Sequence, residues 1–371
     1  MMLAGIRVLE LGQNVAAPYA SAILADLGAE VIKVEKPGGE EGRKLGPPFA
    51  GADPAWFHQV NRNKKSVVID IKNPEGHARL LRLMGSVDVF LHNVRPGALS
   101  RAGLGPDTVR PLCPRLIYVD VTAFGHVGPL AGNPGYELLM QAYAGIMSVT
   151  GGEDAPPTRA GPSIVDLTTG MWIAIGVLAA MVRRGRDGKG CVVNTSLYES
   201  ALALSAIHIA NFSVSGTMPA RTANGFAGLA PYGAFRTRDG DIIIGAGNDN
   251  LFLKLAQLLG QQEWCADERF KSNVARVSNK NALNDMIDQV LAAEDGVTWL
   301  SRLEEAGIPC SPIRAIPDVI GDPQTVALGM VCDSSADPRL RLLRSPLSFN
   351  GQRPAIHSGV PVPGQNDDQF P

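Results

Sequence analysis

IRVLELGQNVAAPYASAILADLGAEVIKVE, residues 6–35, decides the fold. Residues 6–10 and 30–35 are short, apolar and rich in Val and Ile, as buried strands are. The small residues from Ala16 to Leu27 form a helix with Gly28 as its stop. Strand, helix and strand in so few residues make a βαβ unit, which implies parallel strands. The pattern continues outward. Residues 66–71 (SVVIDI) read as a third strand, after the polar tag NRNKK. Asn73 then opens a helix with Pro at its first turn. Residues 87–91 and 115–122 give two more strands. The first third of the chain is therefore an open, Rossmann-like parallel sheet of the α/β class. Ligands of such sheets gather beyond the carboxyl ends of the strands, here the loops 12–18, 36–44, 92–97 and 122–136.

Beyond this sheet, residues 136–147 and 198–215 read as helices and 191–195 as a strand. Composition shifts at residue 216 to a linker rich in Gly, Ala and Pro. A hairpin follows, 232–236 and 241–245 about Asp239-Gly240, and then helices near 249–259, 278–293 and 295–306. The expected organisation is a large Rossmann-like domain (1–215), a linker with a smaller α+β domain (216–325) and a C-terminal segment (326–371) that returns to the large domain.

The bulk properties exclude several classes. A net charge of −2 leaves no basic excess for nucleic acid. The longest apolar run is too short to span a bilayer, so no membrane partner is expected. The N-terminus has no signal-peptide pattern, and the five scattered cysteines form no CxxC pair, so a cytoplasmic location is expected. The first βα loop, GQNVAAP, lacks a GxGxxG fingerprint, which argues against a nicotinamide cofactor. No Walker A, GxSxG or HExxH pattern occurs, and no metal site is expected. His208, within an apolar helical pattern, reads as a core residue. His92 and His126 lie in strand-end loops, where loop structure and ligand contact both remain open. Seven cations, Lys36, Arg43, Lys64, Lys65, Lys72, Arg95 and Arg101, lie in or near those loops and suit an extended phosphate-bearing ligand.

One acid stands in APPTRAGPSIVDLTTGMWIAIGVLAAMV, residues 155–182: Asp166. From Met171 to Val182 every residue but Gly176 is apolar, which reads as a well-buried helix. Asp166 then sits at or just before the first turn, where the helix dipole favours negative charge. An N-cap is the better supported reading of the local sequence. A carboxylate nucleophile is the other.

Several long motifs, in order, carry a family resemblance: residues 5–39, NRNKKSVVIDIKNPEG, HNVRPGALSRAGLG, PGYELLMQAYAG, SIVDLTTGMWIAIGVLAAM and PYGAFRTRDGDIIIGAGND. Together they resemble the family III coenzyme A transferases, the group of formyl-CoA transferase and carnitine CoA-transferase. The resemblance implies an interlocked homodimer, with acyl-CoA as substrate and a small carboxylic acid as acceptor. It implies that Asp166 is the nucleophile, forming a mixed anhydride and then an aspartyl-CoA thioester. It places Val15, Ala16, Lys36, Ile69, Lys72, Asn93, Val94, Arg95 and Arg101 around CoA, with Tyr136 and Glu137 beside the reacting centre. The chain departs from the family pattern in four places, the first being the Val15–Ala16 loop, where formyl-CoA transferase has a polar side chain. Lys36 replaces an arginine, Pro134 replaces a lysine, and GAGND (245–249) stands where formyl-CoA transferase has a glycine-rich closing loop. The α-methylacyl-CoA racemases share the fold, but their proton-moving histidine falls at Tyr136. A phenol, with a pKa near 10, is a poor base at neutral pH. A non-catalytic CoA-binding protein is the alternative from another class. A succinyl-CoA or other dicarboxylyl-CoA donor is implied by the GND subgroup.

Overall fold

The structure, a computed structural model, describes residues 1–371, which divide into two compact units. The first comprises Met1–Ile146, Ala160–Ala206 and Asp322–Pro371. Its centre is a sheet of six strands: β1 (Arg7–Leu11), β2 (Glu30–Glu35), β3 (Lys64–Val68), β4 (Val89–His92), β5 (Ile117–Thr122) and β6 (Val192–Ser196). All neighbours are parallel and the order is β3-β2-β1-β4-β5-β6. The direction of winding reverses between β1 and β4, where Leu11 lies beside His92. A crevice at such a reversal is the expected ligand position.

Successive residues of each strand feed opposite faces. Val8, Val31, Leu91 and Val119 pack against Ala17, Ala20 and Leu24 of helix α1 (Ala16–Asp26). Leu9, Ile32, Val67 and Phe90 pack on the other side against Leu80, Leu83 and Met84 of α2 (Pro74–Gly85). Asn73 caps α2 by accepting the Gly76 amide at 2.7 Å. The strand β3 starts at Lys64, two residues before the expected position. The polar tag can begin a strand because the Lys64 ammonium is met inside by Glu10, 2.7 Å away.

Helix α3 (Glu137–Tyr143) precedes the long α4 (Ile164–Asp187), which has 24 residues rather than the dozen of the apolar run. At 24 residues α4 is long and apolar enough to cross a membrane, which the shorter apolar run did not suggest. One side of it is nevertheless protein core: Val165, Thr169, Ile173, Val177 and Ala180 are buried, and Arg184 pairs with Asp88 at 2.8 Å. The other side corrects the expectation of a well-buried helix. Met171, Trp172, Ile175 and Val182 are 45–62% exposed. The helix expected at 198–215 is two, α5 (Leu197–Leu204) and α6 (Ala206–Ser215), and α6 buries no residue. His208 is half-buried on it and is not a core residue.

The second unit comprises Met147–Arg159 and Ile207–Gly321. An antiparallel sheet of β7 (Tyr232–Arg236), β8 (Asp241–Gly245) and β9 (Cys310–Pro312) packs with α7 (Asp249–Leu258), α8 (Lys280–Leu291) and α9 (Gly296–Glu305). Phe235, Ile244, Phe252, Leu283, Ile287 and Trp299 form its core. The tail protects the open edge of β3 in the first unit. Asn366 accepts the Ser66 amide and Asp367 accepts that of Val68, each at 3.0 Å. Side chains thus occupy the amides an added strand would seek.

Candidate active site

The crevice between β1 and β4 is built from two loops that hold each other. Asn93 Oδ1 accepts the Gln13 amide at 2.8 Å, and Asn93 Nδ2 donates to the Gln13 carbonyl at 2.9 Å. The β1 loop leads into Val15 and Ala16, at the start of α1. No side chain caps α1, so its first amides have no side-chain acceptor. Val94 packs its side chain against the sheet core. Ile69 is 3% exposed and belongs to that core, so only its backbone can meet a ligand.

Helix α4 packs closely against the first turns of α1, and Gly170 permits the approach. A Cβ there would lie 2.9 Å from the Ala16 carbonyl oxygen and 2.8 Å from the Tyr19 ring. Asp166 is one turn earlier, half-buried, and the third residue of α4. It is not the N-cap: Ser163 is, and its side chain makes no cap bond. The carboxylate still stands in the first turn, where a helix favours negative charge. Around that turn, Val165 packs with Met140, Ala144 and Ala201.

Tyr136 precedes α3 and is 69% exposed, whereas Glu137 is buried. Gln141, fully buried, donates to Glu137 at 2.5 Å and accepts the Ala160 amide at 2.9 Å. It therefore ties the segment entering α4 to the helix that carries Glu137. Nothing in the sequence around Gln141 marks it. Phe124, Tyr143 and Tyr198 form an aromatic cluster beside this turn, with centroids 5.4–6.1 Å apart. Their separation along the chain hid that cluster as well.

A crevice at the winding reversal, an acid in the first turn of a helix packed against α1, and no glycine fingerprint fit a specific group of proteins. The model of CoA-transferase family III matches residues 3–367. The chain belongs to CoA-transferase family III. It is similar to succinyl-CoA:glutarate CoA-transferase of Mus musculus, 37% identical over 89% of this chain and 76% of that protein. It is also similar to acetyl-CoA:oxalate CoA-transferase of Acetobacter aceti, 36% identical over 89% and 85% respectively. A solved CAIB/BAIF family protein from Brucella suis is 36% identical, covers 99% of this chain and 97% of its own, and has a TM-score of 0.87.

In this CoA-transferase the seven cations do not act together. Arg43 is buried and spent on Glu35 at 2.7 Å and Asp53 at 3.0 Å. Lys64 and Lys65 sit at the amino end of β3, where Lys64 meets Glu10 and Lys65 meets Glu30, each at 2.7 Å. That leaves Lys36, Lys72, Arg95 and Arg101 beyond the carboxyl ends of β2, β3 and β4, all exposed. Lys36 pairs with Glu41, and the other three make no ion pair. Arg101 folds back over Gly97: a Cβ on that residue, whose φ is +73°, would come 2.9 Å from the guanidinium.

His92 is the last residue of β4 and is buried, stacked edge-on to Tyr118 at 5.3 Å. Burial lowers its pKa to about 3, so the ring is neutral. Its Nε2 lies 3.7 Å from Asp120, whose carboxyl burial holds above the usual range. His126 reaches the Asp120 carbonyl at 3.3 Å. His92 is therefore part of the packed interior beneath the strand ends, whereas His126 is exposed. In the second unit, Asn248 caps α7 through the Leu251 amide at 2.9 Å, and Asp249 accepts from Arg276 at 2.7 Å. The 245–249 segment is thus held by the cap and by a buried arginine. A cavity of about 680 Å³ opens instead at the amino ends of β2 and β3, among Glu30, Lys65 and His357. It lies at the wrong end of the strands for the transferase crevice.

Proposed function

We propose that the protein moves CoA from succinyl-CoA, or another dicarboxylyl-CoA, to a second carboxylic acid through covalent intermediates on Asp166. The observation that carries this reading is the close packing of Gly170, one turn after Asp166, against Ala16 and Tyr19 at the start of α1. An Asp166 carboxylate oxygen attacks the thioester carbonyl, and CoA leaves as its thiolate. The product is a mixed anhydride of Asp166 and the acyl group. The thiolate then attacks the aspartyl carbonyl, expelling the first acid as carboxylate and leaving an Asp166–CoA thioester. An incoming carboxylate attacks the aspartyl carbonyl of that thioester, expelling the CoA thiolate and forming a second mixed anhydride. The thiolate then attacks the acyl carbonyl of the new acid, giving its CoA thioester and freeing the Asp166 carboxylate. The thioester bond is conserved throughout, so the exchange needs no other energy source.

The four strand-end cations, Lys36, Lys72, Arg95 and Arg101, supply charge for the CoA phosphates. Tyr136 and Glu137 line the approach of the acids. Two relatives of nearly equal similarity are named for different acids, glutarate and oxalate. The acids must therefore be found by pairing acyl-CoA donors with carboxylates and following exchange by mass spectrometry. The protein partner is a second copy of the chain, and the five free cysteines suit a reducing cytoplasm.

The mechanism is tested by adding hydroxylamine during turnover with succinyl-CoA. Asp166 should become the hydroxamate, and Asp166→Asn should lower exchange by about 10³-fold or more. Turnover with an unmodified Asp166, or α-proton exchange into the acyl group without CoA transfer, would refute the covalent scheme.

A further inference from the structure

The loop that follows β1 is held by an unusual means. Gly12, Gln13 and Asn14 are consecutive, and each backbone is gripped by a side chain from another strand end. Lys33 of β2 donates to the Gly12 carbonyl at 3.1 Å. Asn93 takes both the amide and the carbonyl of Gln13. Glu40 accepts the Asn14 amide at 3.0 Å. Asn14 has φ +60°, a left-handed conformation unusual for a residue with a Cβ. The grips are themselves joined below the loop. Lys33 lies 2.9 Å from Glu40 and 2.8 Å from Glu10, and all three side chains are almost fully buried.

We infer that Asn93, Lys33 and Glu40 are positioning residues that fix the β1 loop for CoA, doing with buried charge and one amide what a glycine-rich turn does elsewhere. The inference rests on the reading that Val15 and Ala16 face CoA. Two consecutive peptide groups, Gly12–Gln13 and Gln13–Asn14, are each held at both their carbonyl and their amide just before those two residues. Asn93 spends one donor and one acceptor on Gln13, and through these bonds it acts on CoA by holding the loop.

Asn93→Leu keeps the branched shape of the side chain and removes both bonds to Gln13. In the full-length protein the dissociation constant for CoA and the KM for succinyl-CoA should rise together, on the order of tenfold for two lost hydrogen bonds. The kcat at saturation should stay within about threefold, since the reacting groups are untouched. Amide exchange of residues 12–16 should speed up without CoA and slow again with it. Should that variant not fold, Glu40→Gln loosens the same loop by removing the charge that Lys33 and Asn14 meet, and a several-fold weaker CoA affinity is expected. Unchanged CoA affinity in a folded variant overturns the positioning role while leaving the transferase reading intact. A wild-type protein that binds no CoA overturns the reading and the inference with it.

Discussion

Glu10 shows how single residues in this protein depend on partners far along the chain. Its carboxylate is fully buried, which alone would raise its pKa, but Lys33 and Lys64 hold it down to about 2. Burial pushes the Lys64 amine down to about 8, only partly offset by Glu10. A carboxylate with a lowered folded-state pKa stabilises the protein fully above its unfolded value near 4.5. That contribution is lost as pH falls through the window from 4.5 towards 2. For Glu10 alone it is about 3 kcal/mol. Urea unfolding at a series of pH values from 6 to 3 should show stability dropping ever more steeply below pH 4.5, with net proton uptake on unfolding. A flat profile across that range would contradict the buried ion network. None of this was legible locally. Lys64 and Arg43 looked like free loop cations because their partners are 54 and 8 residues away. Asp166 was legible, since a lone acid entering an apolar stretch needs no distant partner to stand out.

At the scale of elements, periodicity revealed the sheet because its inner strands are buried on both faces and short apolar runs have few other uses. It was less informative about α4. Buried positions 165, 169, 173, 177, 180 and 184 recur at helical spacing, and so do the exposed 171, 172, 175, 179 and 182. Both stripes are almost wholly apolar, so composition could not tell which side faced the core. The start of α4 was missed because the apolar run begins seven residues after Ile164. What fixes α4 in place is Gly170, whose absent Cβ lets it meet the Ala16 carbonyl and the Ala20 amide. Those neighbours are backbone and cannot rotate away. Gly170→Val should therefore force the two helices apart, costing about 1–3 kcal/mol. It should also lower exchange activity, because the displaced Ala16 ends the β1 loop. Thermal unfolding and steady-state rates check both effects. A variant of wild-type stability would show that the crossing is looser than the structure has it.

For the whole molecule, the exposed stripe of α4 is the feature that a single chain leaves unexplained. Met171, Trp172, Ile175 and Val182 are joined in the same unit by Leu138, Leu139 and Tyr143 of α3, each 45–62% exposed. Single apolar residues in water are ordinary, but rows of them along two helices mark a surface that is covered. Fully burying an exposed side chain of this kind is worth about 1.5–3 kcal/mol, and these are already about half buried, so covering the stripe adds a smaller favourable amount at each position, set against the cost of immobilising two chains. The occupant we propose is a second copy of the chain, because closed homodimers are the commonest assemblies and need only a self-complementary patch. Sedimentation at low micromolar concentration should give twice the 39.2 kDa chain mass. Ile175→Asp would place a charge in the middle of the stripe, on a side chain 53% exposed in the isolated chain, and so should spare the fold. It should shift the protein to monomer or to aggregates and abolish CoA exchange along with the dimer. A wild-type protein that sediments as a monomer throughout the micromolar range would show that the stripe serves another partner.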